Sequence, residues 1–302
     1  MMATNKGIRG RIFRLFDSIG EAPLSPEQRD EVSKAIGVNS AGYDPYGFNL
    51  ETAERSLRVV RYLYRDYFKV EVHHAERVPD RRVIVIANHG GQIPIDGMLL
   101  ASAFVFDVEP PRVLRGMVER WVPMLPWFST LVTRCGQVVG DPANAAQLLE
   151  RDQSLMVFPE GVKGISKSWF KRYQLQDFGT GFMRLALQTN TTILPVGIVG
   201  SDDIYPAITS SKRIGKMFGA PSFPITPTWP WLGPLGAIPL PVPVSIHIGE
   251  PIDFEGDPED PEHIILDRVE HVKDAVQSLV NGGLDRRPEL AQLDQFVRWR
   301  RP

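Results

Sequence analysis

His89 and Asp96 are the residue types best suited to chemistry in this chain. They lie in VIVIANHGGQIPIDG, residues 83–97, where a short β-branched run delivers Asn88 and His89 into a glycine turn and an aspartate follows. An apolar run of this length, bounded by turn residues, predicts a buried strand. Ligands of parallel sheets collect beyond the carboxyl ends of such strands. Gly90 and Gly91 allow backbone turns closed to other residues. Pro94 suits the first turn of a helix and so sets Asp96 near that helix's N-terminus. A loop of this kind can fold back until carboxylate and imidazole share a hydrogen bond. The carboxylate then fixes the tautomer and leaves the other ring nitrogen to take a proton. No G-x-S-x-G nucleophile accompanies the pair, so a His–Asp base here would act on a substrate hydroxyl. The competing reading is a loop histidine with an ordinary hydrogen bond.

Other chemistries are weaker. His73, His74, His247, His263 and His271 form no recognisable ligand motif with His89, so no metal is expected. Cys135 stands alone, which rules out an internal disulfide and accords with a reducing compartment. A single thiol is more often packing than nucleophile. FGTGFMRLAL imitates a dinucleotide fingerprint but lacks the third glycine and no strand leads directly into it.

The elements that must hold the pair follow from patterning. Hydrophobic content of 43% and charged content of 23% over 302 residues describe an ordinary globular chain, and a net charge of −2 gives no basic field for nucleic acid. Residues 20–48 form a polar connector with one short helix, and Asn49 caps a helix to about Phe68. Strand and helix patterns then alternate. VIVIA is followed by IDGMLLASAF, VLRGMV by a helix near PMLPWFSTLVTR, and QVV by a helix at 143–151. LMVFP, GFMRLALQ, TILPVGIVG, VSIHIGE and a helix near 262–280 complete the series. Short buried strands with helical crossovers predict an α/β fold, a mostly parallel sheet flanked by helices, preceded by an N-terminal helical segment. The expected divisions are 1–69 for that segment, 70–285 for the α/β domain and 286–302 for a charged tail.

Two stretches suit a lipid surface. Ile8, Ile12, Leu15 and Ile19 at helical spacing, with Arg9, Arg11 and Arg14 between them, make a basic amphipathic helix. Residues 217–243, rich in proline and carrying Trp229 and Trp231, must be irregular; they could wrap the body, line an apolar tunnel or dip into lipid. No stretch reaches the ~18 apolar residues of a membrane span, and no secretory signal is evident.

NHGGQIPID, FPEGVKG (158–164) and ILPVGIVG (193–200), in this order and spacing, resemble the PlsC-type glycerolipid acyltransferase superfamily over about residues 70–285. Six residues separate His89 from Asp96 where the family's usual block has four. The glycine-rich loop with P-x-D is similar to the branch of monoacylglycerol and diacylglycerol acyltransferase-like proteins. The resemblance implies an O-acyltransferase of lipid metabolism, phospholipid biosynthesis included. His89 would deprotonate an acceptor hydroxyl and Asp96 orient it. The acceptor would be a glycerolipid or lysophospholipid, and the acyl group would leave a thioester of coenzyme A or acyl carrier protein. The resemblance further implies that Glu160, Gly161 and Lys163, with Lys167, Lys171 and Arg172 in the same basic loop, bind the acceptor and its phosphate. Arg120 joins them from RGMVERW, with Arg115 in reserve. No cofactor is implied beyond the thioester co-substrate. The expected partners are a membrane lipid surface and the acyl carrier, and the expected location is cytoplasmic with peripheral or monotopic membrane association. The alternatives are an acyl-thioester or lipid hydrolase using the same dyad, and a non-catalytic lipid-binding protein.

Overall fold

In a computed structural model of the chain, residues 23–91, 93–119, 128–211, 214–215, 223–229 and 231–287 are described. Residues 1–20 and Arg120 lie outside them, as do most of the tail and part of 217–243.

The strand-like runs found their expected places. A seven-stranded sheet has the order β1-β9-β6-β2-β5-β3-β4. Its strands are β1 (Glu71–His73), β2 (Val83–Ala87), β3 (Arg115–Val118), β4 (Val138–Val139), β5 (Leu155–Val157), β6 (Thr192–Val199) and β9 (Ser245–Ile248). Every neighbouring pair is parallel except β6 and β9. β7 (Thr209–Ser211) and β8 (Phe223–Ile225) make a separate antiparallel pair.

β2 is central and explains why VIVIA carries no polar residue. Val83, Val85 and Ala87 face one core with Leu99, Leu100, Ala103 and Phe104 of helix α3 (Ile95–Phe106). Ile84 and Ile86 face the other. There they meet helices α5 (Pro142–Glu150), α7 (Gly181–Thr189) and α9 (Glu262–Asp285). Since successive strand residues point to opposite faces, a strand covered on both sides must be apolar throughout.

Helix starts follow local chemistry. Ser25 and Gln28 form a reciprocal capping box on α1 (Pro26–Ile36). Asn49 accepts from the Thr52 amide at 3.0 Å and starts α2 (Leu50–Tyr62), which continues through a π turn, Leu63–Tyr67. Tyr64 and Phe68, from the segment assigned to the N-terminal part of the chain, are buried in the same core as Val85. No helix among the described residues is long and apolar enough to cross a membrane.

Candidate active site

The chain leaves β2 beyond the middle of the sheet, between β5 on one side and β6 on the other. The first residue out, Asn88, replaces strand pairing with its side chain. Its Nδ2 donates to the Ile198 carbonyl at 2.9 Å and its Oδ1 accepts the Ile198 amide at 2.7 Å. These two hydrogen bonds fix the residue before His89 against β6.

His89 Nδ1 lies 2.7 Å from Asp96 Oδ2, with both residues buried. The same oxygen accepts the Gly90 amide at 2.9 Å, and Oδ1 accepts the Gly97 amide at 2.8 Å. Asp96 is the second residue of α3, where unpaired amides and the helix dipole favour a negative charge. A carboxylate so placed favours the tautomer in which Nδ1–H donates a hydrogen bond to it and Nε2 carries the lone pair. One ring face stacks on Phe158, centroids 4.3 Å apart and planes at 22°. The loop that makes this possible is tight: Gly91 has φ +84°, and a Cβ there would stand 2.5 Å from the Ser201 carbonyl oxygen.

The loop after β5 also holds His89. Glu160 Oε1 accepts the His89 amide at 2.9 Å, and Oε2 accepts the Gln176 amide at 2.8 Å. Gly161, at φ +55°, starts the one-turn helix α6 (Val162–Ile165). Gly164 of that turn is pressed against the site: a Cβ there would lie 2.8 Å from Glu160 Cβ and 3.0 Å from His89 Cβ.

The basic loop divides in two. Lys163 and Lys171 are exposed. Lys167 and Arg172, expected beside them as acceptor ligands, are buried and face carboxylates. Lys167 Nζ lies 3.4 Å from Glu160 Oε2 and 4.0 Å from Asp202 Oδ2. Arg172 Nε lies 3.5 Å from Asp203 Oδ1, with its guanidinium over the Trp169 ring. Charge runs are ordinarily solvated, but these two cations answer a pair of buried acids that follow β6. Arg115, held in reserve for a head group, is fully buried. It pairs with Asp44 at 2.7 Å, between the Tyr46 and Phe48 rings.

Asp202 and Asp203 were not singled out from sequence. The available signal was two adjacent acids in an otherwise apolar run, GIVGSDDIYPA. Asp202 accepts the Tyr173 amide at 3.0 Å. Burial raises the Asp202 carboxyl above its usual range, and the Lys167 charge acts against that rise. Asp203 accepts from the Trp169 indole at 2.7 Å and from the Tyr173 hydroxyl at 2.5 Å. Burial, with Asp203 beside it, pushes the Tyr173 phenol well up. Among the described residues no group of three or more His, Cys, Asp or Glu could hold a metal ion. Burial likewise raises the Cys135 thiol, which argues against a thiolate nucleophile.

The sheet thus carries a buried imidazole–carboxylate pair at its carboxyl edge, against a Pro-Glu-Gly loop. Residues 69–199 match the family model described as Acyltransferase. The chain belongs to that PlsC-type acyltransferase family and is an acyltransferase.

Relatives span most of the chain. An uncharacterized protein of Mycobacterium leprae is 37% identical over 280 residues, 87% of this chain and 75% of the relative. A probable 1-acyl-sn-glycerol-3-phosphate acyltransferase of Mycoplasma pneumoniae is 26% identical over 191 residues, 59% of this chain and 68% of its own. A bovine protein, the DGAT1/2-independent enzyme synthesizing storage lipids, is 24% identical over 212 residues, 70% and 59% of the two chains. Among solved structures, the 1-acyl-sn-glycerophosphate acyltransferase PlsC of Thermotoga maritima aligns with a TM-score of 0.48 at 21% identity, covering 76% of this chain and 80% of that one.

Proposed function

We propose that the protein moves a fatty acyl group from a thioester donor, acyl-CoA or acyl carrier protein, to a hydroxyl of a glycerolipid or lysophospholipid, with His89 as general base. The observation that carries this reading is the 2.7 Å bond from His89 Nδ1 to Asp96 Oδ2. With Nδ1–H committed to the carboxylate, Nε2 accepts the acceptor's hydroxyl proton as its oxygen attacks the thioester carbonyl. The tetrahedral intermediate collapses with cleavage of the C–S bond. The imidazolium returns the proton to the departing thiolate, and Asp96 stabilises the imidazolium meanwhile. Lys163 and Lys171, exposed in the loop that touches His89, are the cations in the described loop best placed for an acceptor phosphate.

Thiol release with acyl-CoA tests the reading against glycerol 3-phosphate, lysophosphatidate, monoacylglycerol and diacylglycerol. His89→Ala is expected to lower kcat by ~10³-fold, within the range of a general base, without loss of folding. Asp96→Asn turns an amide donor toward Nδ1 and imposes the wrong tautomer, so a loss of ~10²-fold or more is expected. Near-normal turnover by His89→Ala would remove the mechanism. Turnover of the neutral glycerides alone would remove the phosphate role of Lys163 and Lys171.

A further inference from the structure

The proline-rich stretch that contains β8 is unusual in composition. Residues 217–243 contain no Asp, Glu, Lys, Arg or His, in a chain that is 23% charged. Within that run Trp231 is 76% exposed and Leu235 70%, and Leu232 and Ile238 are also exposed. Leu235 stands on a short 3-10 turn, Gly233–Ala237, with Trp231 and Leu232 just before it and Ile238 just after, and the surrounding backbone is tied down. Thr228 Oγ1 donates to the Gly236 carbonyl at 3.1 Å. Tyr67 Oη donates to the Pro239 carbonyl at 2.6 Å, and the Leu240 amide to the Ile204 carbonyl at 3.0 Å. The apolar side chains are therefore held outward by a fixed backbone.

The bond from Leu240 to Ile204 ties the turn to the segment that packs on the site. Ile204 lies two residues beyond Asp202, whose carboxylate packs against Gly90 of the catalytic turn. The Trp169 amide donates to the Ala207 carbonyl at 2.8 Å, and the residue after each, Phe170 and Ile208, is exposed. Lys171 follows Phe170 and Lys163 sits in the turn against His89, both exposed. In sequence, Lys212, Arg213 and Lys216 immediately precede the uncharged run.

We infer that the Trp231–Ile238 turn is a membrane-docking element that inserts into the surface of an anionic bilayer and sets the His89 loop against it. The inference deepens the proposed lipid acyl transfer and rests on that reading for its purpose. Trp at a headgroup boundary, aliphatic side chains below it and flanking cations form the pattern of monotopic insertion. A second copy fits less well, because a standard interface engages about 20–30 residues a side and this turn offers a handful.

The test is co-sedimentation of the full chain with vesicles of phosphatidylcholine alone or mixed with phosphatidylglycerol, no acyl donor present. The wild type is expected in the anionic pellet. Trp231→Ser/Leu235→Ser, both at exposed positions, should keep the melting temperature and lose binding about tenfold. His89→Ala should bind as wild type does, so a failure of acyl transfer would not touch this result. Undiminished vesicle binding by the double variant would overturn the assignment. So would a wild-type dimer in sedimentation equilibrium that the double variant converts to monomer, since a second copy would then cover the turn. Equal binding to neutral and anionic vesicles would overturn its electrostatic half.

Discussion

Lys167 shows how little a side chain's charge says about its direction. Its ammonium lies between two carboxylates, Glu160 and Asp202, all three buried. Glu160 in turn holds the His89 amide, and Asp202 packs against Gly90. The cation thus balances the two acids that bracket the catalytic turn. Lys167→Met would leave both acids without that charge, and a loss of about 3 kcal/mol in unfolding free energy is expected, against almost none for Lys163→Met at the exposed position. The size of the Lys167 effect should depend on pH. Asp202 has a folded carboxyl raised above its unfolded value, so in the folded state it binds a proton more readily and its ionic form is the unfavourable one. Removing Lys167 raises it further. The penalty should therefore be largest at pH 8 and shrink toward pH 5, as Asp202 in the variant takes up a proton. Urea unfolding of wild type and variant at both pH values measures it; a penalty that grows on acidification would contradict the placement.

At the scale of elements, the site depends on two loops from different strands meeting without a gap. Gly164 has no room for a methyl between Glu160 and His89. Gly164→Ala should push the loop after β5 away from the base and lower kcat by ~10-fold or more, since small misplacements of a catalytic group are costly. The thiol-release assay and a melting curve separate that from simple unfolding. Much at this scale was legible in the sequence. VIVIA and the strand within TILPVGIVG are fully buried and show it in nearly unbroken apolar runs, the strand of LMVFP is buried but for Val157, and Asn49 marked its helix by its own cap. The meeting of His89 with Asp96 followed from glycine, proline and the helix start. What sequence did not carry was direction and partner. β1 is three residues of mixed character, Glu71–His73, recognisable only by its pairing with β9. The antiparallel course of β9 against β6 leaves no mark on VSIHIGE. Lys167 and Arg172 read as a basic loop because two of the acids they face, Asp202 and Asp203, lie beyond the next strand.

For the whole molecule, the far edge of the sheet sets a limit on acid tolerance. His247 of β9 is buried, stacks on His73 at 4.5 Å and bonds to Ser245 at 3.1 Å. Burial first, then the charges of His73 and Arg286, hold its imidazole down at about 4. Its folded value lies below the ordinary 6.5, so the unfolded chain takes the proton first. Stability is complete above pH 6.5, falls as the pH drops from there, and levels off below about 4. After allowance for solvent screening, the loss attributable to His247 is on the order of 2 kcal/mol. Melting temperatures between pH 7.5 and 4.5 should fall accordingly, and His247→Gln should flatten the slope. A wild-type curve that is level across this interval would contradict it.

Phe158 has a consequence of its own. Its ring covers one side of the His89 imidazole, and Asp96 occupies one nitrogen. An alcohol approaching the remaining nitrogen therefore finds one face of the ring closed to its other arms. Mirror-image acceptors cannot present the same hydroxyl along that approach with their other arms in the same places. Given a racemic glycerol derivative, the enzyme should consume one enantiomer and slow sharply near half conversion. Phe158→Ala should blur that kinetic resolution.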